Sequence, residues 1–299
     1  MEYYARSTLE TKHQKIYDAF YVKIRKLEDK ISINKNLNYD ECRKIVECIS
    51  ADHPEIYWFG GLLNFSNNGT IQFRYYNKVE EIKKQLPKMK AIVKKYKEKV
   101  FGLSDYQKVK YAYELVCKSI DYGKDRQPET NEFFHQTIEG VFIHSKAVCA
   151  GFARGMQLLL QKVGIESLYV TGNAEGELHA WVMAKLEGEW YHFDPTYAHS
   201  TIESGNLVNY QYFGMTDEDS LLLYKPSEGY VGLPKCTSVT NNYFYKENRL
   251  NAKLSVGQTR YTTEVRYRMA LLGIGKFPCT TYVKDDDFRT ILIAKTNLK

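Results

Sequence analysis

The sequence predicts an α+β fold, because two different hydrophobic periods run through one chain. Apolar residues recur at helical spacing in several stretches, among them Ile16, Phe20, Ile24 and Leu27. By contrast, residues 178–186 alternate between two faces and are followed by a turn and a second, aromatic strand. A chain of 299 residues with 43% hydrophobic and 14% aromatic side chains can bury a sizeable core, in one large domain or two.

Taken in order, the first helix is expected over about 8–30 and a second from a cap near Asn38 through Ile49. Residues 56–65 and 70–76 read as strands joined by a turn at Asn67, Asn68 and Gly69, hence a hairpin. A basic helix spans about 79–100, with Pro87 marking a kink or break. Ser104 with Gln107 forms a capping box, and the helix it opens carries Val109, Tyr113, Val116 and Ile120 on one stripe. The polar segment 123–145 is read as irregular surface chain leading toward the site, and 201–234 as loops with a short helix near 217–223. Beyond Cys236, residues 259–267 and 290–294 look like strands. The expected organisation is a helical and hairpin N-terminal extension over 1–100, a core over 101–235 and a β-rich C-terminal element over 236–299.

Charge and cysteine usage remove several function classes. Forty-two basic residues are matched by 36 acidic ones, and the densest basic run, 83–99, is spaced like the wet face of a helix, so no nucleic-acid partner is expected. The six cysteines form no CxxC pair, which speaks against a disulfide scaffold and a zinc site. His192 and Asp194 can be written as a ligand pair, but no second pair with metal spacing accompanies them. Asp285, Asp286 and Asp287 stand alone without an EF-hand pattern, so neither a metal nor any other cofactor is expected. No stretch approaches the length of a membrane span, and the opening residues lack a signal-like apolar segment; a cytoplasmic location and a secreted one with its signal trimmed both stay open.

The chemistry centres on Cys149. It sits where irregular chain gives way to the helical run 151–160, which Gly164 can terminate. At a helix start the dipole, worth up to about 2 kcal/mol, lowers a thiol by only about 1.5 pKa units, so full ionisation at neutral pH needs a cationic partner. In the strand 178–186, His179, Trp181 and Met183 share one face, and Leu178, Ala180, Val182 and Ala184 the other. If Glu187 and Gly188 are the turn residues, Trp181 faces Asp194 and His179 lies diagonal to Asp194, about 7–8 Å away between Cβ atoms. A slip of one residue would put Asp194 on the opposite face. Singly, a buried cysteine, a satisfied strand histidine and a turn-forming aspartate are the ordinary readings. Together they are the nucleophile, base and orienting acid of a cysteine hydrolase.

These residues carry a resemblance. Val148-Cys149-Ala150-Gly151-Phe152-Ala153, then Gly172 followed by His179-Ala180-Trp181, then Trp190-Tyr191-His192-Phe193-Asp194-Pro195-Thr196 are similar to the three core motifs of the transglutaminase-like superfamily. The likeness extends weakly to the helix 106–122 and to Asp52-His53-Pro54-Glu55, which resembles the N-terminal extension of bacterial members. It implies a papain-like α+β core in which the cysteine helix packs on an antiparallel sheet holding His and Asp. It also implies Cys149 as nucleophile, His179 as general base and acid, and Asp194 as the group fixing the imidazole. The implied activity is attack on an amide of a protein or peptide through a thioester, completed by water (peptidase or amidase) or by an amine (acyl transfer). Relatives with this extension resemble bacterial surface or secreted proteins, which points to a cell-surface substrate and an outside location. Tyr113-Glu114 stands where many relatives have His-Asp, and Tyr197 where they have Trp.

Gln136, by residue type, is a candidate second oxyanion donor beside the Cys149 backbone N–H. Tyr122 matches an aromatic position of the relatives, and Trp181 is a candidate wall of the substrate groove. The alternative is a catalytically inactive module of the same fold that binds or scaffolds, against which the intact Cys, His and Asp speak.

Overall fold

Two polar side chains, Asn38 and Ser104, close capping boxes where the sequence expects helices to begin, and the elements before and after them follow from similar local rules. The computed structural model describes residues 3–32, 37–66, 70–123, 132–203, 208–221, 223–227 and 232–246. The chain opens with α1 (Tyr4–Ser7), α2 (Thr11–Arg25), β1 (Lys30–Ser32), α3 (Tyr39–Asp52), β2 (Phe59–Phe65), β3 (Thr70–Tyr75) and α4 (Val79–Lys99). Helix α2 is shorter than the pattern suggests. Leu27 adopts a left-handed conformation (φ 62°), and the N–H groups of Leu27 and Glu28 return to the carbonyls of Ile24 and Lys23, so Leu27 ends the helix instead of extending its stripe. The predicted hairpin is β2–β3, and β1 adds a third strand along β3 that the sequence did not suggest. Helix α4 runs on through Pro87, which lies on its exposed face, and buries Ile82, Met89 and Tyr96 while its lysines face solvent.

Helix α5 (Asp105–Ser119) buries Val109, Tyr113 and Val116, and Ile120 follows them into the core. The parallel pair β4 (Asp121–Tyr122) and β5 (Lys146–Ala147) brackets a segment expected to be irregular. Its described part instead coils into a 3-10 turn (Glu132–Gln136) and a π-helical turn (Gly140–His144). Then come α6 (Cys149–Lys162), β6 (Ser167–Ala174), β7 (Glu177–Leu186), β8 (Glu189–Phe193), α7 (Pro195–Glu203), β9 (Phe213–Met215), α8 (Asp217–Leu221), β10 (Tyr224–Pro226) and α9 (Tyr243–Lys246). Helix α6 ends as predicted: Gly164 (φ 86°) donates to Gln161 O and Ile165 to Leu160 O, the paired bonds of a Schellman motif. The expected strands at 259–267 and 290–294 lie outside the described residues. The first stretch of the predicted C-terminal element, 236–246, contains α9 rather than a strand.

Strands β6 to β10 form an antiparallel sheet in the order β10-β6-β7-β8-β9. The two faces of β7 separate as the alternation predicts. Ala180, Val182, Ala184 and Leu186 join a core with Phe152, Met156 and Leu159 of α6 and Val109, Tyr113 and Val116 of α5. Trp181 and Met183 join the core that also holds Phe20, Ile45, Ile49 and Phe73 of the first hundred residues. Helix α6 is tied to α3 by three polar side chains on one face. Arg154 Nη1 donates to Ser50 O (2.7 Å), Gln157 Nε2 to Ala51 O (2.6 Å) and Gln161 Nε2 to Asp52 O (2.8 Å). Those carbonyls belong to the last turn of α3, which has no intrahelical donors for them. No helix of the described residues is long and apolar enough to cross a membrane.

Gln157→Leu keeps the volume but leaves the Ala51 carbonyl without its side-chain donor in a buried position. The expected loss is about 1–3 kcal/mol of unfolding free energy, read by urea denaturation. An unchanged midpoint would show that the Gln157–Ala51 bond contributes nothing.

Candidate active site

Cys149 is the first residue of α6, preceded by Val148 as N-cap, whose own N–H donates to His135 O (2.9 Å). The 3-10 turn therefore sits directly against the helix start. Gly151 makes that approach possible, since a Cβ there would lie 2.5 Å from His135 O and 2.7 Å from Ala147 Cβ. Of the five described cysteines, Cys42, Cys48, Cys117 and Cys236 are buried and Cys149 alone has accessible surface. Burial pushes the thiols of Cys42 and Cys48 up to about 12, and that of Cys117 well up, so these are held as thiols by their surroundings.

The hairpin that carries the other two residues has the predicted register. Glu187 (φ 53°) and Gly188 (φ 90°) form the turn, and pairing runs from Leu186↔Glu189 to Val182↔Phe193. The chain then leaves the ladder, with Asp194 N–H donating to Tyr212 O (2.9 Å), and the side chain of Asp194 meets His179 diagonally: Nε2 to Oδ2 is 2.7 Å. Asp194 is fully buried and its carboxylate is saturated. Oδ1 accepts from the N–H groups of Thr196 (2.8 Å) and Tyr197 (3.1 Å), which makes Asp194 the cap of α7, and Oδ2 accepts from Tyr224 as well as His179.

Burial opposes a charge on His179, but the Asp194 carboxylate and its hydrogen bond, with a smaller contribution from a hydrogen bond to Cys149, outweigh it and push the ring up to about 10. At neutral pH the ring is an imidazolium. With Nε2 committed to Asp194, Nδ1 is the nitrogen left for the sulfur. Aromatic rings flank the cation: Tyr197 is stacked at 4.7 Å and 18°, Tyr224 at 5.8 Å and 22°, and Trp181 at 6.3 Å and 16°.

The remaining candidates divide. Gln136 is exposed at the end of the 3-10 turn, between residues whose carbonyls press on Gly151. Tyr122 is half-buried, pairs with Ala147 two residues before Cys149, and lies 6.4 Å from the ring of Phe152, a packing position. Trp181 has no accessible surface, so it does not wall an open groove; its indole supports the ring stack from below and donates to His192 Nδ1 (3.0 Å). Tyr113 donates to Asn209 O (2.8 Å) and lies 3.4 Å from Asp194 O, bracing the backbone that carries the acid. Sequence reasoning missed Tyr224, because a three-residue edge strand offers too few positions for an alternation to be read.

A second His, Asp and Cys meet behind Trp181. Ligand atoms of His192, Asp217 and Cys236 lie within 4.8 Å of one another. The trio is a hydrogen-bond network by its donor pattern: the indole N–H can only donate, so His192 Nδ1 accepts and the ring proton sits on Nε2, 3.1 Å from Asp217 Oδ1. Burial and the adjacent Asp217 also push the Cys236 thiol far up.

Residues 94–195 match the family model of the transglutaminase-like superfamily. This segment is therefore similar to a transglutaminase-like core. The described chain is also similar in part to three solved structures. One is a candidate cysteine protease from Cytophaga hutchinsonii (21% identity, TM-score 0.30, covering 36% of this chain). The others are a protein described as a TGase (17%, 0.35, 56%) and the periplasmic domain of TgpA from Pseudomonas aeruginosa (17%, 0.31, 48%). The chain spans 37%, 50% and 64% of those three proteins, respectively. No curated protein matches it. The matched segment includes Cys149, His179 and Asp194.

The folded value of about 10 for His179 exceeds the unfolded value of about 6.5, so the native state holds the proton more tightly. The stability this supplies is complete below about pH 6.5 and is lost as pH rises toward about 10. Urea midpoints should fall across that window in the native chain more than in Asp194→Asn. Parallel profiles for the two would contradict the ion pair.

Proposed function

We propose that this protein is a cysteine enzyme that cleaves or exchanges amide bonds of protein or peptide substrates through a thioester on Cys149. The observations that support the reading are the accessible thiol at a helix start and a His179 ring that a saturated, buried carboxylate holds in place and, with a smaller contribution from Cys149, pushes toward its protonated form. In the first step, Sγ of the thiolate forms a bond to the amide carbonyl carbon. The carbonyl electron pair moves to oxygen, where the Cys149 N–H and a second donor, for which Gln136 is our candidate, stabilise the charge. Collapse breaks the C–N bond as His179 gives its proton to the leaving nitrogen. His179, now neutral, takes a proton from water or from an amine as that nucleophile attacks the thioester, and Sγ leaves as thiolate. Water gives a peptidase or amidase, and an amine gives acyl transfer.

Asp194 keeps Nε2 occupied throughout, so the ring exchanges protons with substrate only through Nδ1. Cleavage of the reactive thioester does not require a metal ligand in this scheme.

Alkylation of Cys149 by iodoacetamide at pH 7 is expected to slow about tenfold or more in His179→Ala, because a thiol without a cation ionises mainly above about pH 8. Equal rates would favour a non-catalytic module of the same fold. The reaction itself is tested by mass spectrometry of a peptide library with and without an added amine. Products present with the native chain and missing with Cys149→Ala are expected; identical profiles would remove the enzyme reading, and amine incorporation would separate transferase from hydrolase.

A further inference from the structure

The carboxylate of Asp194 is divided between two kinds of partner. Backbone N–H groups of α7 take Oδ1, whereas Oδ2 is shared by His179 Nε2 and the phenol of Tyr224, each at 2.7 Å. Tyr224 begins the edge strand β10, which pairs with β6 through Tyr224↔Ala174 and Pro226↔Gly172. That strand comes so close that a Cβ on Gly172 would lie 2.4 Å from Lys225 O and 2.9 Å from the Trp181 ring. The Tyr224 ring is buried against Trp181 (4.9 Å) and Tyr197 (5.9 Å), and it lies 5.8 Å from the imidazole in a nearly parallel plane. Its position is therefore fixed by packing on several sides before the hydroxyl is considered.

We infer that Tyr224 is a positioning residue of the proposed site: its hydroxyl fixes the Asp194 carboxylate from the sheet edge and competes with the imidazole for Oδ2, so that it sets both the direction and the strength of the His179–Asp194 bond. The step is one of hydrogen bonding alone, and no bond to substrate is made. The phenol donates its proton to Oδ2, so it withdraws charge from the oxygen that stabilises the imidazolium. Removing that donor leaves more of the carboxylate's charge to His179, and the ring then holds its proton more tightly. Its effect on the proposed reaction rests on the reading of Cys149, His179 and Asp194 given above. Its effect on the His179 ring does not.

The test is a ring-nitrogen NMR titration of His179 in the full chain. Tyr224→Phe keeps the ring and loses the hydroxyl, and the titration midpoint is expected to rise by about half a unit or more, roughly threefold in proton affinity. Replacing Tyr224 by 3-fluorotyrosine supplies a stronger donor of nearly the same size and should move the midpoint down. This second variant carries the test if the phenylalanine variant fails to fold. In an Asp194→Asn background the effect of either change should shrink to about 0.2 unit or less, because the two residues act through one oxygen. Midpoints that do not move with either substitution, or that move equally without Asp194, would overturn the inference. A midpoint that moves as expected while Cys149 alkylation ignores His179→Ala would remove the catalytic reading and still support the hold of Tyr224 on Asp194.

Discussion

A carboxylate with no access to water must be supplied with donors by the protein, and Asp194 is supplied from every direction. The first turn of α7 gives two backbone N–H groups, β7 gives an imidazole, and β10 gives a phenol. These partners come from three separate elements, so the burial of one acid requires that α7 start at Pro195, that the β7–β8 register be right and that the sheet edge be complete. Losing any one partner leaves a buried charge under-paired, a cost larger than the net worth of the bond itself. The same requirement explains why the imidazole is cationic. Burial alone would drive the proton off, and the fixed negative charge beside Nε2 reverses that.

The proposed nucleophile is placed by a different device. Cys149 depends on α6 beginning at one particular residue, and that start is held by the His135 carbonyl on the Val148 N–H and by the close seat of the 3-10 turn against Gly151. The far end of the same helix is anchored to α3 through Arg154, Gln157 and Gln161. Elements of the first hundred residues thus fix the helix that presents the thiol, although none of their side chains enters the proposed chemistry. Tyr197 and Gln136 both keep accessible surface.

Much of this was legible in the sequence because it is encoded locally. Capping boxes at Asn38 and Ser104, the Gly164 stop and the Glu187-Gly188 turn each involve residues within a few positions, and the turn sets the β7–β8 register that brings Asp194, the residue after β8, to His179. The unread features depend on distant partners. β1 and β10 are three residues long, the coiling of 132–144 is imposed by what packs around it, and α4 accepts Pro87 because that residue faces solvent. Trp181 was read on the right face, but its depth was invisible. Alternation gives direction and says nothing of how many layers lie above.

Two His–Asp pairs whose histidines lie on the two strands of one hairpin show why geometry, and not composition, distinguishes a candidate site. His192 binds Asp217 at 3.1 Å and has Cys236 close by, so the residue types match those around Cys149. The proton pattern differs. His192 spends its second nitrogen accepting from Trp181, whereas His179 is held by Asp194 through Nε2, which on our proposal leaves Nδ1 for the thiol. The thiols differ as well, since Cys236 is buried and pushed up by Asp217, whereas Cys149 has accessible surface. A ring with both nitrogens committed to fixed partners can only hold structure together. On the proposed reading, the nitrogen that Asp194 leaves to the thiol has a proton it can give away and take back, and the indole that locks His192 is the same one that stacks with His179.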